Sequence, residues 1–161
     1  MIADPSIRTF RWDDLEQYTS LFNEINGITD SEKAIDIELM HQILSQPSCE
    51  PEVHCYISES QGVLQGFTLI TPEPPIDRAV VTGGVHPINR NQGMGRNLLK
   101  TAIWHTKGLG VSRMHVEAPL NGPSAHRILL SENFHIVKRF WQMRWEADNL
   151  PPLELPKGFS L

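Results

Sequence analysis

The residues best suited to chemistry lie in one glycine-containing segment, residues 85–96, with the sequence VHPINRNQGMGR. An apolar run precedes it and an amphipathic run follows, so the segment predicts a strand end, a loop and a helix start. The first N–H groups of a helix lack intrahelical acceptors and bind phosphate oxygens, and Gly93 and Gly95 let a ligand approach the backbone. Arg90 and Arg96 add positive charge. The pattern predicts a phosphate-binding loop, with a simple turn as the alternative.

Other nucleotide and metal motifs are missing from the sequence. The loop contains neither G-x-G-x-x-G nor G-K-[ST], so the dinucleotide and P-loop interpretations fail. The seven histidines show no paired spacing such as H-x-x-x-H. We therefore expect no metal.

Charge is distributed unevenly along the chain. The net charge is −5, which argues against general nucleic-acid binding. Residues 78–116 nevertheless contain six basic and no acidic residues, so the rest of the chain carries −11. A positive segment in an acidic protein favours a local anion site, and a solvated helix face is the equally weighted alternative.

Hydrophobic periodicity and turn residues predict the elements that position this loop. Asp13 with Glu16 is typical of a capping box at the start of the first helix, and Gly83-Gly84 indicates a bulge or a close backbone approach. The pattern predicts strands over residues 7–12, 53–59, 63–71, 78–85, 113–118 and 135–145, and helices over residues 13–25, about 30–45, 93–107 and from 121, where Ala125, Ile128 and Leu129 face the core.

This order predicts an α/β (α+β) fold with a mixed, mainly antiparallel sheet and helices on both faces. We expect one domain over residues 1–147 and a proline-rich linker or tail over 148–161. No apolar run is long enough to span a membrane, and residues 1–14 lack the pattern of a signal peptide. We expect a soluble, cytoplasmic protein in which Cys49 and Cys55 are reduced.

The run Val85-x-Pro87-x-x-Arg90-x-x-Gly93-x-Gly95-x-x-Leu98-Leu99 resembles the acyl-CoA-binding motif of the GNAT superfamily, whose core is R/Q-x-x-G-x-G/A. The resemblance implies a V-shaped cleft between the fourth and fifth strands and acetyl-CoA as co-substrate, without a metal. It also implies that the amides of residues 91–96 hold the pyrophosphate and that the edge of the strand ending at Val85 pairs with the pantetheine arm. The implied cofactor-binding residues are Val85, His86, Pro87, Arg90, Asn91, Gln92, Gly93, Met94, Gly95, Arg96 and Asn121. Asn121 has a plain helix cap as its alternative role.

The same resemblance implies N-acetyl transfer to a primary amine of a small molecule or peptide. Many members of the family use a tyrosine in the last helix as the acid, and Leu129 occupies that position here. Ser131, His126 and His135 are the substitutes, and Glu117 is the candidate base. Each of these four has a structural or solvent-exposed role as its alternative. A catalytically weak acyl-CoA-binding module is the second functional hypothesis.

The end of the chain differs from one-domain members of the family, which close their sheet with two strands after the last helix. Here one predicted strand leads directly into a proline-rich segment. This arrangement resembles the junction in tandem two-domain GNAT proteins such as mycothiol synthase. The resemblance implies a homodimer or a second GNAT domain as partner, and we expect neither nucleic acid nor membrane as a partner.

Overall fold

The computed structural model describes residues 6–28, 34–47, 49–119 and 122–140. Five strands form one sheet in chain order; the first four pair antiparallel and the fifth pairs parallel with the fourth. The strands are β1 (Ser6–Thr9), β2 (Cys55–Ser60), β3 (Val63–Glu73), β4 (Arg78–Val85) and β5 (Arg113–Val116), and the helices are α1 (Leu15–Ile25), α2 (Ile37–Leu44), α3 (Pro51–His54), α4 (Met94–Gly108) and α5 (Pro123–Ser131). The predicted mixed, mainly antiparallel architecture is confirmed.

Helices cover both faces of the sheet because successive strand residues point to opposite sides. On one face Ile57 and Phe67 pack with Tyr18 of α1 and Met40 of α2. On the other face Ile70, Ala79 and Val81 pack with Ala102 of α4. The loop between β4 and α4 therefore crosses from the sheet to the helix on this second face.

The two glycines near the end of β4 mark close approaches rather than a bulge. The β3–β4 register runs without interruption from Glu73 to Gly66. A Cβ added to Gly84 would lie 2.6 Å from Cγ2 of Ile25 in α1, and one added to Gly83 would meet the backbone of Phe67 in β3. The absence of side chains here lets α1 pack directly on the strand that precedes the loop.

The start of α1 corrects the capping-box prediction. The helix begins at Leu15, after a 3-10 turn at Trp12–Asp14. The carboxylate of Asp14, rather than that of Asp13, accepts from the Arg11 N–H at 2.8 Å. Asp14 is held in position to accept this hydrogen bond because it also binds the guanidinium of Arg8 on β1. The spacing of residues along the sequence does not reveal that contact.

Two more element starts differ from prediction. Residues 34–36 are not helical, and α2 begins at Ile37, where Asp36 caps it by accepting from the Leu39 N–H at 2.7 Å. Residues 29–33 lie outside the described part. The predicted strand start at residue 53 was wrong, because Pro51 opens the short helix α3 and β2 begins at Cys55.

The C-terminal predictions are corrected where the structure describes them. Residues 134–140 form no strand, and the side chains of Ile136, Val137 and Phe140 are exposed. A strand needs a neighbouring strand for its backbone hydrogen bonds. Alternation of apolar and polar residues along the sequence does not show whether such a neighbour is present. Residues 141–145 of that predicted strand lie outside the described residues. Ala125, expected to face the core, is exposed, whereas Ile128 and Leu129 are half-buried.

Candidate functional site

The loop between β4 and α4 reverses direction through two residues with positive φ. After β4 ends at Val85, a 3-10 turn spans Pro87–Asn89. Asn91 has φ of 64° and Gly93, the N-cap of α4, has φ of 85°. Asparagine and glycine are the residues that tolerate this left-handed conformation best. The loop therefore has asparagine and glycine at the two positions where its backbone adopts a positive φ.

The start of α4 presents a row of free donors. Within the described part of the chain, no acceptor is bonded to the backbone N–H groups of residues 91–96. A Cβ added to Gly93 would have no heavy atom within 4 Å, and one added to Gly95 would lie 3.7 Å from side-chain atoms of Ile128 and Val85. These backbone N–H groups are not covered by side chains and can donate hydrogen bonds to an anion. The helix dipole adds to the attraction.

The first half of the loop is tied to its surroundings by two basic side chains. Arg90 donates from Nε to the Val85 carbonyl at 3.0 Å and from Nη2 to the Ile25 carbonyl at 3.5 Å. His86 lies with Nε2 2.7 Å from the carboxylate of Glu24, and its Nδ1 accepts from the Ile88 N–H at 3.3 Å. Pro87 and Gln92 are exposed, and the buried Met94 side chain leaves only its backbone for a ligand.

Arg96 links the beginning of α4 to the end of α5. It donates from Nη2 to the Ser131 hydroxyl at 2.9 Å, and its Nη1 lies 3.7 Å from the Glu132 carboxylate. The Ser131 hydroxyl in turn donates to the Ile128 carbonyl at 2.8 Å. Among the predicted site residues, the structure thus brings Ser131 and Arg96 together.

A fork opens between β4 and β5 next to this loop. Parallel pairing runs from Arg78 and Arg113 to Val81 and Val116. There β5 ends, while β4 continues through residues 82–85 with β3 on one side only, as far as the described residues show. The exposed strand edge of β4 is the V-shaped opening that the sequence predicts.

The candidate catalytic residues lie on different elements, one directly after β5 and the others on or beyond α5. Glu117 is exposed and follows the last paired residue of β5 directly. His126 is half-buried on α5, as is Leu129, and His135 is exposed beyond that helix. No hydrogen bond joins Glu117 to either histidine or to Ser131 within the described residues. Asn121 falls outside the described residues.

The six basic residues of the positive segment are spread over the loop, α4 and the starts of β4 and β5. Arg90 and Arg96 lie at the loop, and Lys100 and Lys107 are exposed on α4. Arg78 binds the Glu73 carboxylate and holds its pKa below the usual value. Arg113 donates to the Ile76 and Asp77 carbonyls. The anion site therefore receives only part of the segment's charge.

Sequence reasoning missed a polar chain on the sheet face beneath α4. His105 lies with Nε2 2.7 Å from Nδ1 of His54 and with Nδ1 2.8 Å from the Tyr56 hydroxyl. Burial, followed by the nearby His54, lowers the pKa of His105. These residues belong to α3, β2 and α4, so no local spacing could have found them.

Three further observations concern metal-binding groups, membrane-spanning helices and the cysteines. Within the described residues, no group of three or more histidine, cysteine, aspartate or glutamate side chains could hold a metal ion. In the same residues, no helix has the length and apolar character needed to cross a membrane. Cys49 and Cys55 are both free thiols, as predicted.

Comparison with known proteins relates this geometry to other chains. A mycothiol acetyltransferase from Streptosporangium roseum is 32% identical over 99 residues, which are 61% of this chain and 28% of that protein. This chain thus spans well under half the length of that relative. The structure of yncA from Salmonella typhimurium with its cofactor acetyl-CoA matches with a TM-score of 0.69 at 19% identity, over 84% of this chain and 82% of the other.

An N-acetyltransferase from Staphylococcus aureus matches with a TM-score of 0.72 at 18% identity, over 84% of this chain and 86% of the other. At such identities these two likenesses establish the fold alone. The model of the Acetyltransferase (GNAT) family matches residues 10–129, which include β2 to β5, the loop and most of α5. This chain belongs to the GNAT acetyltransferase family.

Proposed function

We propose that this chain is an acetyl-CoA-dependent N-acetyltransferase whose acceptor is a primary amine of a small molecule or peptide. The observation that carries the proposal is the row of free N–H groups at residues 91–96 beside the open edge of β4. Family membership supports the same activity. Acetyl-CoA, when bound, supplies an activated thioester whose acetyl group can pass to an amine.

The residues present fit such a co-substrate. Its pyrophosphate needs several convergent donors and no obstructing side chain. The free N–H groups of residues 91–96 meet the first need, and the open space at Gly93 with the lack of a side chain at Gly95 meets the second. The basic side chains of Arg90 and Arg96 provide a favourable local potential. The edge of β4 that faces away from β3 at residues 82–85 can hydrogen-bond an extended amide-containing arm as a further strand would. We propose that Asn121 completes this set.

The chain's own contribution to chemistry is mainly positioning. Holding an amine against an activated carbonyl supplies on the order of 7–11 kcal/mol of the barrier. The amine must lose a proton, and Glu117, exposed where the two strands part, is the proposed base. The departing thiolate must gain a proton. His126 and Ser131 are the proposed acids, with His135 as the third choice.

The hydrogen bonds of Ser131 limit how it could act as the proposed acid. Its own hydrogen already points to the Ile128 carbonyl, while its oxygen accepts from Arg96. To act as an acid it must turn away from Ile128. His126, half-buried on the same helix, is the alternative acid. We also propose a cytoplasmic location and, as partner, a second copy or a second GNAT domain, with neither nucleic acid nor membrane as a partner.

A second function is favoured by two observations. The half-buried Leu129 stands where many family members have a catalytic tyrosine, and the stretch matched to the mycothiol acetyltransferase is only 28% of that protein. A catalytically weak acyl-CoA-binding module acting beside another domain would have both features. Binding of CoA is common to the two proposals, and only the first requires turnover.

Calorimetric titration of CoA and acetyl-CoA tests the shared step. We expect micromolar binding by the wild type and its loss in Gly95→Trp, because an indole there would crowd Ile128 and Val85, 3.7 Å from the Cβ, and displace the first turn of α4 with its amides. Gly108→Trp is the matched control: it places the same side chain at the far end of α4, where a Cβ meets nothing within 4 Å. Absence of binding by the wild type, or equal binding by both variants, would contradict the proposed site.

A further inference from the structure

We propose that the last turn of α1 is part of the pyrophosphate loop, and that Arg90 and His86 are positioning residues that fasten the loop to it. This inference rests on the proposed function and assigns a role to two residues within it. The fastening consists of the Glu24–His86 pair and the bond from Arg90 to the Ile25 carbonyl. We call these two contacts the α1 clamp.

The His86 contact fixes the first residue of the loop. Its ring bridges two partners, with Nε2 2.7 Å from the Glu24 carboxylate and Nδ1 accepting from the Ile88 N–H at 3.3 Å. Its backbone N–H donates to the Gln65 carbonyl at 2.8 Å. His86 therefore joins α1, β3 and the 3-10 turn at a single position.

The Arg90 contact fixes the fourth residue after that. The guanidinium reaches back to two carbonyls, that of Val85 at 3.0 Å and that of Ile25 at 3.5 Å. Carbonyl groups near the end of a helix are without intrahelical donors, so Ile25 offers a free acceptor. The planar fork of arginine holds donors in fixed directions toward both acceptors, a geometry that the compact ammonium of lysine does not reproduce.

The helix that receives the clamp is itself firmly placed. Tyr18 and Leu21 of α1 are 1% and 3% exposed in the core, and Ile25 packs on Gly84 of β4. A loop fastened to a packed helix keeps its free amides in one arrangement before a ligand arrives. Binding then requires less ordering of the loop, and ordering each side chain costs affinity.

The direction in which Glu24→Ala changes CoA affinity distinguishes positioning of the loop from simple electrostatics. Glu24 is acidic and lies beside an anion site, so electrostatics alone predicts that Glu24→Ala strengthens CoA binding. The clamp predicts the opposite, a weakening of about three- to tenfold. Glu52→Ala is the matched control, because it removes an exposed carboxylate from α3, outside the site.

Arginine replacements give the second arm of the test. If Arg90 positions the loop, Arg90→Lys and Arg90→Gln weaken CoA binding by similar factors, because both lose the fork that spans the Val85 and Ile25 carbonyls. If Arg90 acts by its charge alone, Arg90→Lys keeps most of the affinity and only Arg90→Gln weakens it. Arg90→Gln flattens the salt dependence on either account, so the comparison with Arg90→Lys decides. Thermal unfolding of each variant without ligand establishes that it is folded.

The measurement is calorimetric titration of CoA into the full chain at two salt concentrations. Weakened binding by Glu24→Ala, with Glu52→Ala unchanged, supports the clamp. Normal or tighter binding by Glu24→Ala in a protein whose wild type binds CoA overturns the clamp alone. Failure of the wild type to bind overturns the proposed function, and the clamp with it.

Discussion

Gly93 is the residue on which the start of α4 depends most. Its φ of 85° lies in the left-handed region, and it is followed directly by the first residue of the helix. Any residue with a Cβ pays a steric penalty of about 1–2 kcal/mol in this conformation. The orientation of the next three N–H groups depends on the same backbone angle.

We expect Gly93→Ala to lower the free energy of unfolding by about 1–2 kcal/mol and to weaken CoA binding, because relief of strain turns the amides away. Gly108→Ala is the control on the same helix, where helix propensity predicts a gain of up to about 1 kcal/mol. Chemical denaturation measures both. Equal stability of Gly93→Ala and the wild type would contradict the assigned backbone conformation.

His105 gives the molecule a pH dependence of its own. Burial and His54 lower its pKa in the folded protein, whereas the unfolded chain protonates near the ordinary value of 6.5. The unfolded state therefore binds the proton more readily below that pH, and this contribution to stability, present above pH 6.5, is lost as the pH falls through the folded pKa.

Replacement of this imidazole should therefore flatten the pH profile. We expect the free energy of unfolding of His105→Gln to fall less between pH 7.5 and 5 than that of the wild type. His135→Gln, which changes an exposed histidine, should follow the wild-type profile. Urea denaturation across this pH range measures these free energies. If the free energy of unfolding of His105→Gln changed with pH as that of the wild type does, His105 would not be the cause of the pH dependence.

At the scale of elements, β1 and α1 are joined by a charged group of three residues. Arg8 donates from Nε to Glu59 of β2 at 2.6 Å and to both carboxylate oxygens of Asp14 at 2.7 and 2.8 Å. The Arg8 guanidinium and the Arg11 N–H lower the pKa of Asp14. This group joins the 3-10 turn that precedes α1 to β1 and β2.

We expect Arg8→Met to reduce the free energy of unfolding at pH 7 by about 1–3 kcal/mol, because it leaves the largely buried Asp14 carboxylate without its main partner. The stabilisation from the lowered pKa of Asp14 is present above about pH 4 and is lost as the pH falls through the folded pKa. Arg8→Met should therefore show a smaller loss between pH 5 and 2. Identical acid profiles would contradict this account.

Elements set by local signals could be predicted from the sequence, and those set by distant partners could not. The bounds of β4 follow from an apolar run between turn residues, and the start of α4 follows from its glycines. The role of Asp14 depends on Arg8, and that of Arg90 on Ile25, across contacts that no spacing reveals. For the same reason the sequence predicted the loop between β4 and α4 but not the contacts of Arg90 and His86 with α1.

At the scale of the whole molecule, the fork arises from unequal strand lengths. The four pairs between β4 and β5 end at Val81 and Val116, while β4 runs on to Val85 and into the loop. The free edge of β4 therefore leads directly into the loop, and Glu117 follows the last paired residue of β5. A thioester held along this edge would meet an amine where the two strands part.

Amine-dependent release of free thiol from acetyl-CoA tests the central claim most directly. The assay compares the wild type with Gly95→Trp, Gly108→Trp and Glu117→Gln across a panel of primary amines that includes small polyamines and peptide N-termini. We predict release with at least one amine by the wild type and Gly108→Trp, a loss in Gly95→Trp, and a reduction of about 10²-fold or more in kcat for Glu117→Gln. Tight CoA binding by the wild type without thiol release for any amine would contradict the enzyme and leave the binding module.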